Sequence, residues 1–430
     1  MIGGTDATTP ENGFSLRHLL TNRSFLAVWS AQFVSGLGDK IAVIAFFSLV
    51  LDRTGNVADL GLLAAAQILP GVLLGPMVGV LIDRWNRKVL LVAADLLGVA
   101  ACLVLPLIWG RLEFVYLVAA LLSVGRQLAG PARLAIVPDL VAGELLNKSN
   151  AMTMLTQNLT LLLGMAAGGL AVHHLGAAAA FRIDAATFAV SALILTAHRF
   201  RYLPRSDVAD VPSRPRERWA DVRQGAVWIW SRPRLRFAVS FLGVVTVVTA
   251  MQPPLVFDMV RNTLGRTEAQ LGLIFGAAGL GGLLGALVAG LLRERAEPLR
   301  MVTWLIALDG ALLMLFAVNR NVASAAVLFL LFGALSTGLQ VNLATFLQRE
   351  TPPEQRGRIF GWLSPLLGPI SLASVMLGPL LGSAIGASAV LFMAGAAELL
   401  VGLLGRIAWA RRRDPAIEPH PDPQAMASEA

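Results

Sequence analysis

Apolar residues in this chain fall into blocks of about twenty or more, separated by short segments that carry most of the charge. Six blocks lie near 25–50, 57–82, 89–109, 113–137, 153–175 and 178–198. Six more lie near 237–257, 268–292, 299–318, 322–346, 359–383 and 386–408. A helix needs about 20 apolar residues to cross the hydrocarbon core of a bilayer. Lipid cannot satisfy open backbone groups, so each block is predicted as a membrane helix. The fold class expected is an all-α membrane protein with twelve transmembrane helices in two pseudo-symmetric six-helix bundles. The predicted divisions are a tail over 1–24, a first bundle over 25–198, a linker over 199–236, a second bundle over 237–409 and a tail over 410–430.

The charges set an orientation. Of 35 lysines and arginines, six fall in alternate loops or at the helix ends beside them: Arg53, Arg111, Arg182, Arg261, Arg266 and Arg320. Lys40 and Arg126 lie within blocks, and the rest sit on the side that would carry both termini. Positive loops face the cytoplasm, so both termini are expected there. The linker is rich in arginine and proline. Its Trp219, Val222, Ala226 and Trp230 recur at helical spacing, which predicts a short amphipathic helix on the membrane surface, with a solvated tether as the alternative.

Composition supports the membrane class. Hydrophobic residues make up 56% of the chain and charged ones 14%, against about 25% charged in a soluble domain; mean hydropathy is +0.68. A net charge of +8 can indicate nucleic acid, but arginines between apolar spans suit topology better, and no nucleic acid is expected as partner. The one cysteine, Cys102, excludes an internal disulfide and cysteine-based metal chemistry. His173 and His174 lack matching acids in sequence, so no metal is expected. No run fits a cleavable signal or a nucleotide-binding Walker loop, and no cofactor is expected.

The two halves repeat. Residues 79–91 read GVLIDRWNRKVLL, and 211 positions later Gly290, Leu292, Glu294 and Arg295 answer Gly79, Leu81, Asp83 and Arg84. Asp95 and Asp309 are related by an offset of 214, as are the glycine-rich segments Gly164, Gly168, Gly169 and Gly378, Pro379, Gly382. Gly71, Gly75 and Gly79 are spaced by four, with Gly282, Ala286 and Gly290 in the second half. Such stripes let helices approach closely. Two apolar halves of one pattern describe a transporter built by duplication.

The 79–91 segment resembles the signature loop of the major facilitator superfamily, G-x-L-A-D-R-x-G-R-K-x-x-L, at seven of nine specified positions. Ile82 replaces Ala. Asn86 replaces Gly, which is expected to be mild because asparagine tolerates the left-handed turn that glycine supplies. Gly164-Met-Ala-Ala-Gly168-Gly169 is similar to the G-P-x-x-G-G motif of antiporters in that superfamily, with Met165 for proline. Arg126-Gln-Leu-Ala-Gly130 resembles its R-x-x-Q-G motif, with Ala129 for Gln. Residues 25–39, 53–61, 131–140 and 348–358 further resemble the bacterial macrolide-efflux and enterobactin-exporter branch. The resemblance covers about residues 20–408. It implies the twelve-helix fold, the bacterial inner membrane, and export of small molecules driven by a proton gradient.

Candidate site residues follow. A charge in a span costs about 2.5–3.5 kcal/mol at the bilayer centre, so one that persists faces a cavity or a partner. Low dielectric disfavours a carboxylate anion, which makes Asp39 the first candidate for carrying a proton. Arg126 is its expected partner, with Lys40 as a competing counter-ion; the same charges would serve equally to hold helices together. The resemblance implies a cytoplasmic gate latch at Gly79, Asp83, Arg84, Arg87 and Lys88, with Gly290, Glu294 and Arg295 as its second-half copy. Gln67, Gln157, Asn158, Gln252, Gln340 and Asn342 are candidates for a substrate cavity or for amide bonds between helices. The glycine-rich segments are candidates for packing or gating.

The function expected is a secondary-active exporter of hydrophobic or amphipathic small molecules working by proton antiport, with protons, lipid and substrate as partners and a monomer as the working unit. Uptake or uniport is the alternative transport reading. A lipid-acting membrane enzyme or a non-transporting receptor or scaffold are alternatives of another class. No Gly-x-Ser-x-Gly or His-x-x-x-x-Asp is present to support an enzyme.

Overall fold

The computed structural model describes residues 16–200, 227, 229–292, 297–351 and 353–411. The tails, most of the linker and the predicted latch residues Glu294 and Arg295 lie outside them. Of the spaced linker residues only Trp230 lies within.

The chain forms α1 (Leu16–Thr21), α2 (Arg23–Thr54), α3 (Val57–Arg84), α4 (Arg87–Ile108), α5 (Leu112–Leu140) and α6 (Leu146–Ala197). The second half supplies α7 (Pro233–Asp258), α8 (Glu268–Leu292), α9 (Pro298–Val318), α10 (Val322–Glu350), α11 (Pro353–Ile385) and α12 (Ala387–Arg411). No strand occurs among the described residues. Eleven helices are long and apolar enough to cross a membrane. One of them, α6, has 52 residues and breaks at Gly176, at φ 80° and ψ 167°. At 1.5 Å per residue it runs to about 78 Å, more than twice a hydrocarbon core, so its two arms, 146–175 and 177–197, are two crossings. The fold therefore has twelve crossings. Only glycine takes that φ without strain, which is why the hairpin needs Gly176.

Helix ends are set by local chemistry. Asn22, Asn56 and Asn321 cap α2, α3 and α10, each accepting backbone N–H groups of the first turn. Gly55, at φ 64°, closes α2. Pro233 and Pro298 open α7 and α9 at positions where a missing N–H costs nothing.

The halves pack alike. In the first, α2 lies on the first arm of α6, α3 on α5, and α4 on the second arm of α6. In the second, α7 lies on α11, α8 on α10, and α9 on α12. The halves meet where the first arm of α6 crosses α8 and, by the same operation, where α3 crosses α11. At the first crossing Gly169 faces Gly272 so closely that a Cβ on Gly272 would meet the Met165 carbonyl and the Gly169 Cα.

The two ends of the molecule differ. At the far end, away from the chain termini, one apolar core runs through both halves and includes Phe47, Val57, Leu255, Phe257 and Leu271. The Phe47 and Phe257 rings lie 5.3 Å apart. Arg261 sits in the wide turn after α7. It pairs with Asp52 of the first half at 2.8 Å and with Glu268 at 2.5 Å, while His173 lies 3.6 Å from Glu268. At the tail end the core is divided: Phe25, Val28, Ile82 and Ile136 belong to one cluster, and Leu235, Val239, Leu299 and Phe346 to another. The halves are thus fastened at the far end and separate in their cores at the tail end.

Candidate functional site: a charged cavity in the first bundle

A cavity of about 180 Å³ lies inside the first half, lined by Asp39, Asp95, Arg126 and Arg133, with Phe188 and small residues of α4 and α5 completing its wall. Each charged group comes from a residue placed by helical spacing. Ser35 and Asp39 are one turn apart on α2, and Arg126 and Arg133 are two turns apart on α5, so two matching stripes face each other. Arg126 Nη1 donates to Asp39 Oδ1 at 3.3 Å, and Arg133 Nη2 to Ser35 Oγ at 3.2 Å. Asp39 and Arg126 keep 23% and 34% of their side-chain surface open, so the pair is neither sealed nor fully solvated.

Two further carboxyls stand behind it. Asp95 on α4 accepts from Ser191 Oγ at 2.6 Å. Asp184, on the second arm of α6, is 1% exposed; it accepts from Cys102 Sγ at 3.3 Å and Thr187 Oγ1 at 3.3 Å. It packs directly over Gly38, where a Cβ would land on Asp184 Oδ1 and Thr187 Oγ1. Gly38 thereby brings Asp184 up to the α2 backbone beside Asp39. The stem of Lys40, next in sequence, lies over Gly164 of α6, whose Cβ would meet Lys40 Cβ at 2.7 Å. Around the cavity Asp39, Asp95 and Asp184 stand near Arg126 and Arg133. A proton added to or removed from one acid therefore changes the charge balance of the group in a low-dielectric setting.

A family model described as the Major Facilitator Superfamily matches residues 28–373. The chain belongs to the major facilitator superfamily. It is 28% identical over 402 residues to the enterobactin exporter EntS of Salmonella typhimurium, covering 91% of this chain and 93% of that protein. It is 27% identical over 369 residues to the multidrug efflux pump Tap of Mycobacterium tuberculosis, covering 82% and 86%. The crystal structure of the nucleoside transporter NupG is similar in fold, with a TM-score of 0.69, 11% identity, and coverage of 90% of this chain and 99% of that one. This superfamily consists of membrane transporters, and this member is a transporter rather than an enzyme.

The superfamily's signature loop occupies the tail end between α3 and α4. Gly79, Asp83 and Arg84 form the last turns of α3. Asn86 is not in a left-handed turn: it has φ −63° and caps α4 by accepting from Lys88 and Val89 N–H. No residue other than glycine has positive φ among the described residues. Asparagine suits this position because its short side chain reaches the orphan amides of a helix start. Arg87 pairs with Asp139 and donates to the Ala135 carbonyl at 2.8 Å. Lys88 donates to the Thr196 and His198 carbonyls and lies over the Phe200 ring. In this arrangement Arg87 and Lys88 fasten α4 to α5 and to the end of α6, within the first half.

The glycine-rich segments divide their work. Gly164 and Gly168 lie against α2, and Gly169 against α8 of the other half. Their counterparts repeat this: Gly378 and Gly382 lie against Met251 and Leu255 of α7, and Pro379 against Gly61 of α3. Gly290 is in the last turn of α8. The six amides are not gathered in the charged cavity. Asn158 donates to the Met154 carbonyl and lies over Gly282 at the crossing of the halves. Gln340 and Asn342 bond within α10, to Ser336 and the Gly338 carbonyl. Gln67 lends its carbonyl to Ser123, Gln157 is exposed, and Gln252 Nε2 is buried without a partner.

Arg133 and Asp184 are the cavity-side residues that pattern reading passed over. Arg133 counted as a tail-side topology charge, although its spacing of seven from Arg126 places both on one face. Asp184 lies 214 positions before Glu398, the same offset that relates Asp95 to Asp309.

Proposed function

We propose that this protein is a proton-driven exporter of hydrophobic or amphipathic small molecules. In this reading both termini are cytoplasmic, the membrane is the bacterial inner membrane, and the divided tail end opens to the cytoplasm. The halves rock about the α6–α8 and α3–α11 crossings, so that far-end fastening and tail-end fastening alternate. The relatives named as an enterobactin exporter and a multidrug efflux pump support export as the direction.

The observation that carries proton coupling is the half-open Asp39–Arg126 pair beside Asp95 and Asp184. With Asp39 ionised, Arg126 is held across α2 and α5. A proton taken up by Asp39 removes that attraction and frees the guanidinium, changing the contact between two helices that line the first half. One charge crossing about 100 mV supplies roughly 2.3 kcal/mol, enough to sustain a substrate gradient. The test is accumulation of a panel of lipophilic dyes and drugs in a pump-deficient host expressing the protein. Lower accumulation of at least one compound, reversed by an uncoupler, is expected. Accumulation indifferent to expression, or lowered equally with the uncoupler present, would defeat the proposal.

A further inference from the structure

The second half carries its own pair of acids within the spans, Glu398 buried and Asp309 half-buried, and they meet each other. Asp309 on α9 and Glu398 on α12 lie in mutual hydrogen-bonding contact. Each stands eleven residues into its helix, about 16 Å at 1.5 Å per residue, which is mid-membrane. Glu398 is 1% exposed, and its Oε2 is buried with no donor. The helices are held close here: a Cβ on Gly310 would meet the Gly395 carbonyl and Glu398 Cβ.

Comparison with the first half shows what is missing. Positions 214 earlier are Asp95 and Asp184, where Ser191, Cys102 and Thr187 supply hydrogens to the carboxylates. The same offset turns those three donors into Gly405, Phe316 and Val401, none of which has a side-chain hydroxyl or thiol. The cations vanish too: at the 211 offset that relates α5 to α10, Arg126 becomes Thr337 and Arg133 becomes Ala344. The charges on the packed helices lie within two turns of an end. They are Arg234, Arg236 and Asp258 on α7, Arg349 and Glu350 on α10, and Glu354, Arg356 and Arg358 on α11. On α9 and α12 themselves they are Arg300, Arg406 and Arg411, and Arg406 is stacked on Trp304. Two acids without a donor or a cation can hydrogen-bond each other only through a hydrogen one of them retains.

We infer that Asp309 and Glu398 form a proton-binding site in the second half, sharing one proton across the α9–α12 contact. One carboxyl keeps its hydrogen and donates to the other, so the pair carries a single negative charge. Losing the proton to water leaves two anions in contact and loosens α9 from α12. The site is separate from Asp39–Arg126 and holds its proton whether or not that pair couples transport.

Infrared difference spectroscopy on the purified full-length protein at neutral pH tests it. Wild type minus the D309N/E398Q double variant is expected to show the carbonyl band of a protonated carboxylic acid, shifting in heavy water. The absence of that band overturns the site. E398Q provides a second measurement, because its amide donates the hydrogen that the proton had supplied. Wild type is expected to lose several degrees of thermal stability as pH is raised into the alkaline range, with E398Q staying flat over the same range. Parallel profiles for the two proteins would contradict the shared proton, and neither result depends on finding a substrate.

Discussion

Adding one methyl group at Gly272 tests how the far end is held shut. In G272A the new Cβ falls on the Met165 carbonyl oxygen and within 2.9–3.0 Å of the Gly169 Cα and N. All three are backbone atoms, so no rotamer change relieves the overlap and α6 must move off α8. Overpacking of this kind costs about 1–3 kcal/mol. The helix-propensity gain of alanine over glycine, about 1 kcal/mol, is the same wherever α8 stays helical and cancels between states. The far-closed state is therefore disfavoured by a factor of about 5 to 150 relative to any state in which α6 and α8 part. Val57 reports the change, being 4% exposed and touching the α11 segment at Gly382. In a background with the buried Cys102 replaced by alanine, a V57C thiol should label faster by that factor in G272A. G75A is the control, since a Cβ there meets open space. Labelling of V57C in G272A within about a factor of two of the parent would refute the α6–α8 glycine contact as the closure of that end.

Other outcomes follow from single contacts. R261Q removes the bridge from Asp52 to Glu268. The Asp52 contact, 55% exposed, contributes under about 1 kcal/mol, while Glu268, 12% exposed, is left without its cation and carries the larger loss. The loss is read as a V57C labelling increase; unchanged labelling would mean that the bridge does not fasten this end. G38A places a methyl on Asp184 and Thr187 and should cost about 1–3 kcal/mol, seen as a lowered unfolding temperature in detergent; unchanged stability would mean that Asp184 is not held against α2. N86A loses the α4 cap, about 1 kcal/mol, whereas N86G should lose only a few tenths. If N86G proved more stable than the parent, the position would be governed by turn geometry and not by capping.

How much was readable before any coordinates depends on the kind of signal. Block length and spacing fixed the twelve crossings because lipid allows few solutions, and the boundaries of α9, for instance, agree with its run to within a residue. The Asp39–Arg126 pair was readable because a charge in an apolar run demands a partner and few were available. Arg133 was not, since an arginine near a helix end satisfies the topology rule as well as it satisfies a site. The division of labour among Gly164, Gly168 and Gly169 was also hidden: a small residue shows that something comes close, but not which helix. Asn86 was misjudged for a related reason, as asparagine suits both a left-handed turn and a helix cap, and only the backbone angles separate the two.

The central claim is that export is paid for by a proton passing through Asp39. Its most direct test is energised efflux of a transported compound, in cells or proteoliposomes, by wild type and D39N with and without an uncoupler. The amide keeps the size of Asp39 but cannot carry the charge that holds Arg126. D39N should lose uncoupler-sensitive efflux while still exchanging the compound down its gradient. Full uncoupler-sensitive efflux by D39N would contradict the account.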